Sequence, residues 1–460
     1  MALTMHARSL TTAAIPALVG ALLLSSPSAA QPLDSPGFGN SVSSFEFGSS
    51  SPSAHCPRSP LAPPIKFLDS DSLNATAMSL AEDPVVAAAK SKLRQTLTDS
   101  GLATDAATAA ELPSYIDGLA LAVASDVANI GRTSLAWDDQ PDRRWGLDNP
   151  DVIYRSATID ENGSYLIRGT RHSSQNIYFQ VLDAYPGDGT LGTTTGFLAG
   201  NSLVTASDGS FTLTLSADPG QPGENHITLG KGSKRIIVRD TLANWATDTP
   251  ADLQLTQVDG PGVPQPTDAA SEVARRMTLQ GEFWANYVKQ LLPVLPVNTV
   301  AAPSPTRGGL PGQVGAFAQF NLAPNEALVL TVDLADAPYF GMQLGNNWFT
   351  SMNYWDHQSS LNRSQVLPNP DGTATFVVSQ QDPNVCNWID PDGHNRGLIF
   401  LRWQDLPTDV IPAPVASKVI TLDKLNETLT DVPKINQGLR QSQLEHRETT
   451  LHRRSATWPR

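Results

Sequence analysis

The spacing of apolar positions changes character along the chain. Over 83–97 and again over 112–130, apolar residues recur at helical spacing in an Ala-rich setting, with Asp117 and Asp126 on the polar side. These stretches predict a small helical preface. A polar and aromatic segment at 137–145 reads as a loop. After it the chain turns to short β-rich runs beginning at Tyr165, Ile177, Phe211 and Arg235. Turn signals separate them: Asn162-Gly163, the Pro/Gly/Asp run at 186–189, Asp208-Gly209 and Pro219-Gly220. A helix is predicted over 268–292, capped by Thr267 or Asp268, with Val273, Met277, Phe283, Trp284, Tyr287 and Leu291 on its apolar face. Gly281 is its weak point. A Pro/Gly stretch at 301–315 reads as a linker. Strands return at Ala327, Tyr339, Ala374 and Leu398, and a final helix is predicted over 439–454.

The two strand regions follow one plan. Each runs through an apolar strand, a Tyr-Phe pair, an Asp-Gly turn, a strand, an Asp-Pro pair, an Asn, and a strand ending in Arg. Asp208 to Arg239 spans 31 positions, as does Asp371 to Arg402; Tyr165 to Asp208 spans 43, as does Leu328 to Asp371. Ordered matches at equal long spacings predict a duplication; the alternative is two unrelated β domains with similar turn chemistry. The predicted fold class is mainly β with helical additions, as two related jelly-roll-like β-sandwiches in tandem. The divisions are a signal peptide (1–30), a Ser/Pro-rich arm (31–64), the helical preface (65–136), the first sandwich (137–262), a connecting helix and linker (263–312), the second sandwich (313–410) and a helical tail (411–460).

The first division rests on its order of residues. His6 and Arg8 precede an uncharged apolar run at 11–24, and small residues follow, with a cut expected near Ala29 or Ala30. That run is shorter than the about 20 residues needed to span a bilayer, and no later stretch reaches that length. The expectation is a secreted or extracytoplasmic protein with no transmembrane segment. The net charge of -14 argues against nucleic acid as a partner. Two cysteines, Cys56 and Cys386, are too few for a disulfide framework or a four-thiolate metal site. They either form one bridge from the arm to the C-terminal half or stand as two thiols.

Two segments resemble a known family. One is Asn149-Pro150-Asp151 followed by Tyr154. The other runs from Asp382 through Asn387-Trp388, Asp390 and Gly393-His394 to Arg402-Trp403. Together they resemble the opening and closing motifs of the exported domain-of-unknown-function family called twelve-fourteen, often preceded by a domain called twelve-fifty-four. The resemblance covers about 137–403. It implies paired jelly-roll domains, frequent export and no established activity. The chain departs from the pattern at 389–391, where Leu-Asp-Thr is usual, and at Asn225-His226, where Asn-Trp is usual.

Complete catalytic motifs are missing from the sequence. There is no nucleophile elbow, no His-Glu-x-x-His, no phosphate-cradling loop and no Cys-x-x-Cys. His172, His226, His357 and His394 lack the paired spacing of metal ligands, and Asp390-x-Asp392-Gly393 reads as a surface turn rather than a calcium loop. No cofactor and no metal is expected. The tryptophans are the better clue. Trp137, Trp145, Trp348, Trp355 and Trp388 stand in polar stretches where an indole can stack on a ligand; the alternative is that each plugs a sandwich end. The candidate ligand-binding set is Trp145, Asn149, Asp151, Tyr154, Arg239, Trp348, Asn387, Trp388, Asp390 and Arg402. The leading expectation is a non-catalytic ligand-binding or envelope-associated protein that takes a carbohydrate or a small amphipathic molecule. One alternative is a saccharide hydrolase acting through Asp151 and Asp390, which would need two carboxylates about 5–10 Å apart. Another is an oligomeric structural protein; a homo-oligomer is a possible partner state. Arg440, Arg447 and Arg454 lie seven apart on the final helix, beside Leu444 and Leu451, so that helix is expected to dock on the acidic body or to join subunits.

Overall fold

The computed structural model describes residues 56–63, 71–132, 134–137, 142–184, 188, 190–306, 309–407 and 409–455. The expected signal peptide and most of the Ser/Pro arm lie outside them.

Three helices open the described body: α1 (Asp71–Ala81), α2 (Pro84–Thr98) and α3 (Ala106–Asn129). The Asp83 carboxylate accepts from the Val85 N–H, and that of Asp105 accepts from the Thr108 N–H, so both helices start on side-chain caps. The first sandwich follows as β1 (Ala136–Trp137), β2 (Val152–Thr158), β3 (Ser164–Thr170), β4 (Asn176–Leu182), β5 (Thr194–Ala199), β6 (Ser210–Ser216), β7 (His226–Thr228), β8 (Arg235–Thr241) and β9 (Asp252–Asp259). Helix α4 (Ala269–Leu291) connects it to the second, β10 (Ser304–Pro305), β11 (Val314–Asn321), β12 (Glu326–Asp333), β13 (Tyr339–Gly345), β14 (Ser360–Asn362), β15 (Thr373–Ser379), β16 (Trp388–Ile389), β17 (Arg396–Gln404) and β18 (Ala416–Thr421). Helix α5 (Gln437–Ser455) closes the described chain.

The sheets repeat strand for strand. The first sandwich has sheets ordered β1-β2-β8-β4-β5 and β7-β6-β3-β9; the second has β10-β11-β17-β13-β14 and β16-β15-β12-β18. In each sandwich the short strand at one edge of the four-stranded sheet pairs in parallel with its neighbour (β6 with β7, β15 with β16), while the other pairings are antiparallel. Each sandwich buries its own core between its two sheets. Ile167, Phe179, Leu213, Ile236 and Val238 fill the first; Leu330, Phe340, Phe376, Ile399 and Leu401 fill the second. The fold is therefore mainly β, two related sandwiches in tandem with helical additions, as the spacing predicts.

Some readings change. The stretch read as a linker over 301–315 contains β10 and the start of β11. Helix α4 tolerates Gly281 because Leu93 packs there: a Cβ would sit 2.7 Å from the Leu93 Cδ2. Helix α5 docks on the body. Arg440 pairs with Asp382 at 2.8 Å, and the Arg447 Nε donates to the Tyr354 carbonyl at 3.0 Å. The Arg454 Nη1 donates to the Pro150 carbonyl at 2.6 Å. Cys56 and Cys386 are joined in a disulfide, with Cα atoms 5.3 Å apart. Residues 56–63 run beside α5, where Arg453 donates to the carbonyls of Ala62 and Pro63. No helix among the described residues is long and apolar enough to cross a membrane.

Candidate functional site

Side chains alternate across a strand. In β8, Ile236 and Val238 point into the sandwich core, so Ile237 and Arg239 point out of it; in β17, Ile399 and Leu401 point in, so Phe400, Arg402 and Gln404 point out. These two outward faces enclose a cavity of about 190 Å³. Tyr154 and Gln180 add to the wall from the first sandwich, and Phe317 from the second. Trp284 and Tyr287 of α4 cover it, with Trp145 and Phe349 from loops.

Aromatic rings make up one part of the wall, beside aliphatic and polar side chains. Phe317 stacks on Phe400 with centroids 3.9 Å apart, Trp284 stacks on Phe349 at 5.0 Å, and Trp145 tilts against Trp284 at 6.4 Å. Gly146 makes the last approach possible. Its φ is +68°, and a Cβ there would stand 3.0 Å from the Trp284 ring, so both the backbone and the space call for glycine.

The polar atoms are of two kinds. Some are held by protein partners. The Arg239 guanidinium donates to the Gln180 amide oxygen, and Arg402 donates to the Gln343 amide oxygen. Each Arg stands 59 positions after its Gln, so this pairing belongs to the duplication. Arg402 also donates to the Leu147 carbonyl at 2.8 Å and lies 3.9 Å over the Phe400 ring. The Tyr154 hydroxyl accepts from the Asn149 N–H at 3.2 Å. Burial lowers the pKa of both arginines, and each guanidinium borders the Tyr154 phenol. Burial also raises the pKa of Tyr154, against the pull of the two arginines. Others belong to lining residues but are covered by protein: the Trp284 Nε1, the Thr306 Oγ1 and the Gln404 Oε1 are buried away from the open space without a hydrogen bond. A buried orphan costs about 1–3 kcal/mol.

The ten residues singled out from sequence divide. Trp145, Asn149, Tyr154, Arg239 and Arg402 meet at this cavity. The other five do not. Asp151 is buried behind the wall. Its carboxylate accepts from the Tyr339 hydroxyl at 2.7 Å, the Asn362 amide at 2.6 Å and the Trp245 indole at 2.8 Å. Burial raises its pKa in spite of these bonds. Trp348 is buried against Tyr115, its indole N–H donating to the Thr108 carbonyl at 2.7 Å. Asn387 ties Leu367 and Thr375 together through backbone bonds, as Asn225 ties Val204 and Thr212. The Trp388 indole donates to the Ser379 carbonyl; in the first sandwich the His226 ring nitrogen reaches the Ser216 hydroxyl. Trp388 and His226 thus fill equivalent places in the two sandwiches. Asp390 and Asp392 hold His357, at 2.8 and 2.9 Å. Asp151 and Asp390 therefore serve separate networks, and the structure does not pair them for hydrolysis. Of the other tryptophans, Trp355 lies under Arg144, and Trp137 falls in β1.

Among the described residues, one group has the donor atoms to surround an ion: Glu111, Asp392 and His394. In this structure the His394 Nε2 lies 3.1 Å from the Glu111 carboxylate, and Nδ1 lies 3.0 Å from the Pro391 carbonyl, so a protonated His394 satisfies the site unaided.

Sequence reasoning missed Gln180, Gln343, Thr306, Gln404 and the aromatic contribution of α4. The glutamines carried a signal, since the 59-residue interval to Arg recurs in both halves. Trp284 and Tyr287 did not, because an aromatic stripe at helical spacing reads as core.

No protein-family model and no curated protein matches the chain. Among solved structures, an uncharacterized protein of Burkholderia cenocepacia is similar, with 26% identity and a TM-score of 0.66, over 75% of this chain and 99% of that one. A protein of Vibrio parahaemolyticus aligns with 11% identity and a TM-score of 0.39, over 67% of this chain and 98% of that one.

Proposed function

We propose that the protein is a secreted, non-catalytic binding protein whose site is the cavity between the two sandwiches, and that its ligand is a small amphipathic molecule. The observation that carries this reading is a cavity between the two sandwiches that sets the rings of Trp145, Trp284, Tyr287 and Phe349 beside the polar ends of Gln180, Arg239 and Arg402. A few polar groups converging among aromatic rings are what a small-molecule site requires. The cavity is smaller than the about 300–1,000 Å³ of pockets for drug-sized ligands, which favours one or two rings over an oligosaccharide. The Cys56–Cys386 disulfide supports an oxidising, extracytoplasmic location.

Trp145→Ala tests the reading. It removes one ring from the wall and leaves the two sandwich cores intact. Tryptophan-fluorescence titrations with small aromatic alcohols and acids should show binding about tenfold weaker than the wild type. A saturable wild-type response that is unchanged in Trp145→Ala would place the ligand elsewhere. No response to any of these compounds would remove the reading.

A further inference from the structure

The duplication places one guanidinium from each sandwich in the same cavity, Arg239 from β8 and Arg402 from β17. Among the described residues, the groups that accept from them or stack on them are uncharged. Arg239 meets the Gln180 amide and the Tyr154 phenol, while Arg402 meets the Gln343 amide, the Leu147 carbonyl and the Phe400 ring. No carboxylate among the described residues lies within the 4.0 Å of an ion pair from either. Asp148 and Asp151 are near enough to favour the charge on Arg402, but their oxygens are engaged elsewhere. Asp148 accepts from the Ser351 N–H and hydroxyl, and Asp151 from Tyr339, Asn362 and Trp245.

Several other arginines of this molecule are paired or saturated, although Arg447 shares the lack of a carboxylate, held by the Tyr354 carbonyl, the Ser360 hydroxyl and the Trp245 ring. Arg155 pairs with Asp240 at 3.2 Å, Arg235 with Asp126 at 3.0 Å and Arg440 with Asp382 at 2.8 Å. Arg453 is instead surrounded by carbonyl oxygens, from Ala62, Pro63, Trp245, Thr247 and Asp248. Arg239 and Arg402 have neither a counter-ion nor a full set of acceptors, and each guanidinium offers five N–H donors. Two like charges at one aromatic cavity repel each other unless an anion joins them.

We infer that the cavity takes a compact ring-bearing anion, its carboxylate or phosphate oxygens held between Arg239 and Arg402 and its ring packed against the free edges of Trp284, Phe349 and Phe400. The inference rests on the reading of the cavity as a ligand site and adds the ligand's charge. Planar guanidinium forks suit both head groups, so the probes must separate them.

The test is isothermal titration of the full-length protein with naphthoate, naphthyl phosphate and the neutral naphthylmethanol. At least one anion should bind about 30-fold or more tightly than the alcohol, and the tighter anion identifies the head group. Arg239→Gln, at the less buried of the two arginines, should erase most of that preference with an unchanged thermal transition. Arg402 also holds the Leu147 carbonyl, so its companion variant is Arg402→Lys, which should keep a preference for the anion at lower affinity. Equal binding of alcohol and anions would overturn the inference while leaving a ligand site. Silence from all three probes would overturn both readings.

Discussion

Trp145 and Trp348 both stand in polar stretches of sequence, and the fold uses them in opposite ways. Trp145 borders the cavity, whereas Trp348 is 2% exposed and wedged against α3. What decides is a carbonyl far away in the chain: the Trp348 indole finds Thr108, 240 positions earlier, and no local pattern announces that. Trp348→Ala should therefore cost about 3–5 kcal/mol in denaturant unfolding, and a loss within error of zero would mean that the indole is not buried. His357 gives a pH-dependent counterpart. Its bonds to Asp390 and Asp392 raise its pKa from 6.5 to about 10. A base held protonated by folding contributes its full stability below the unfolded pKa and loses it as pH rises through the folded one. The side chain is 36% exposed, so screening leaves about 1 kcal/mol. Wild type and His357→Gln should differ by that amount at pH 6 and converge by about pH 10, as read from urea midpoints. A gap that widens with pH would contradict the assignment.

At the scale of elements, the strands flanked by Asp-Gly turns were legible because the turn residues do the same work in both copies. Gly209 and Gly372 have φ of +82° and +84°, and Asp208 and Asp371 each accept from the N–H two residues on. β11 was hidden because its approach is Pro- and Gly-rich and its run Val314–Asn321 begins inside what reads as a linker. The Arg stripe of α5 was visible in sequence, but its partners were not, since they are carbonyls as well as Asp382. Gly281 shows the same limit on α4: the sequence marks it as a weakness, and Leu93 turns it into a packing requirement. Gly281→Val should destabilise the protein by about 1–3 kcal/mol through overpacking; a rise in thermal midpoint, the outcome helix propensity alone favours, would show that Leu93 moves aside.

For the molecule as a whole, the duplication was readable from equal spacings, yet the cavity between the two copies was not. Arg239 and Arg402 could be named as equivalent from sequence; that their outward faces meet, with α4 as a cover, depends on how two sandwiches pack. Asn387, Trp388 and Asp390 looked like site residues because Asn, Trp and Asp serve ligands and sandwich ends equally well, and here each completes the second sandwich. The Cys56–Cys386 bridge closes a separation of 330 residues. Its removal by Cys56→Ser should cost up to about 5 kcal/mol, measured as the fall in thermal midpoint; reductant should lower the wild type and leave the variant unchanged. Whether the junction of the sandwiches binds a ligand is decided by a structure of the protein with whichever naphthyl probe binds most tightly, supplied at one equivalent. The ring should lie among Trp284, Phe349 and Phe400, with its head group within hydrogen-bonding reach of Arg239 and Arg402. A probe that saturates the protein in solution but is found anywhere else on the molecule would contradict that placement.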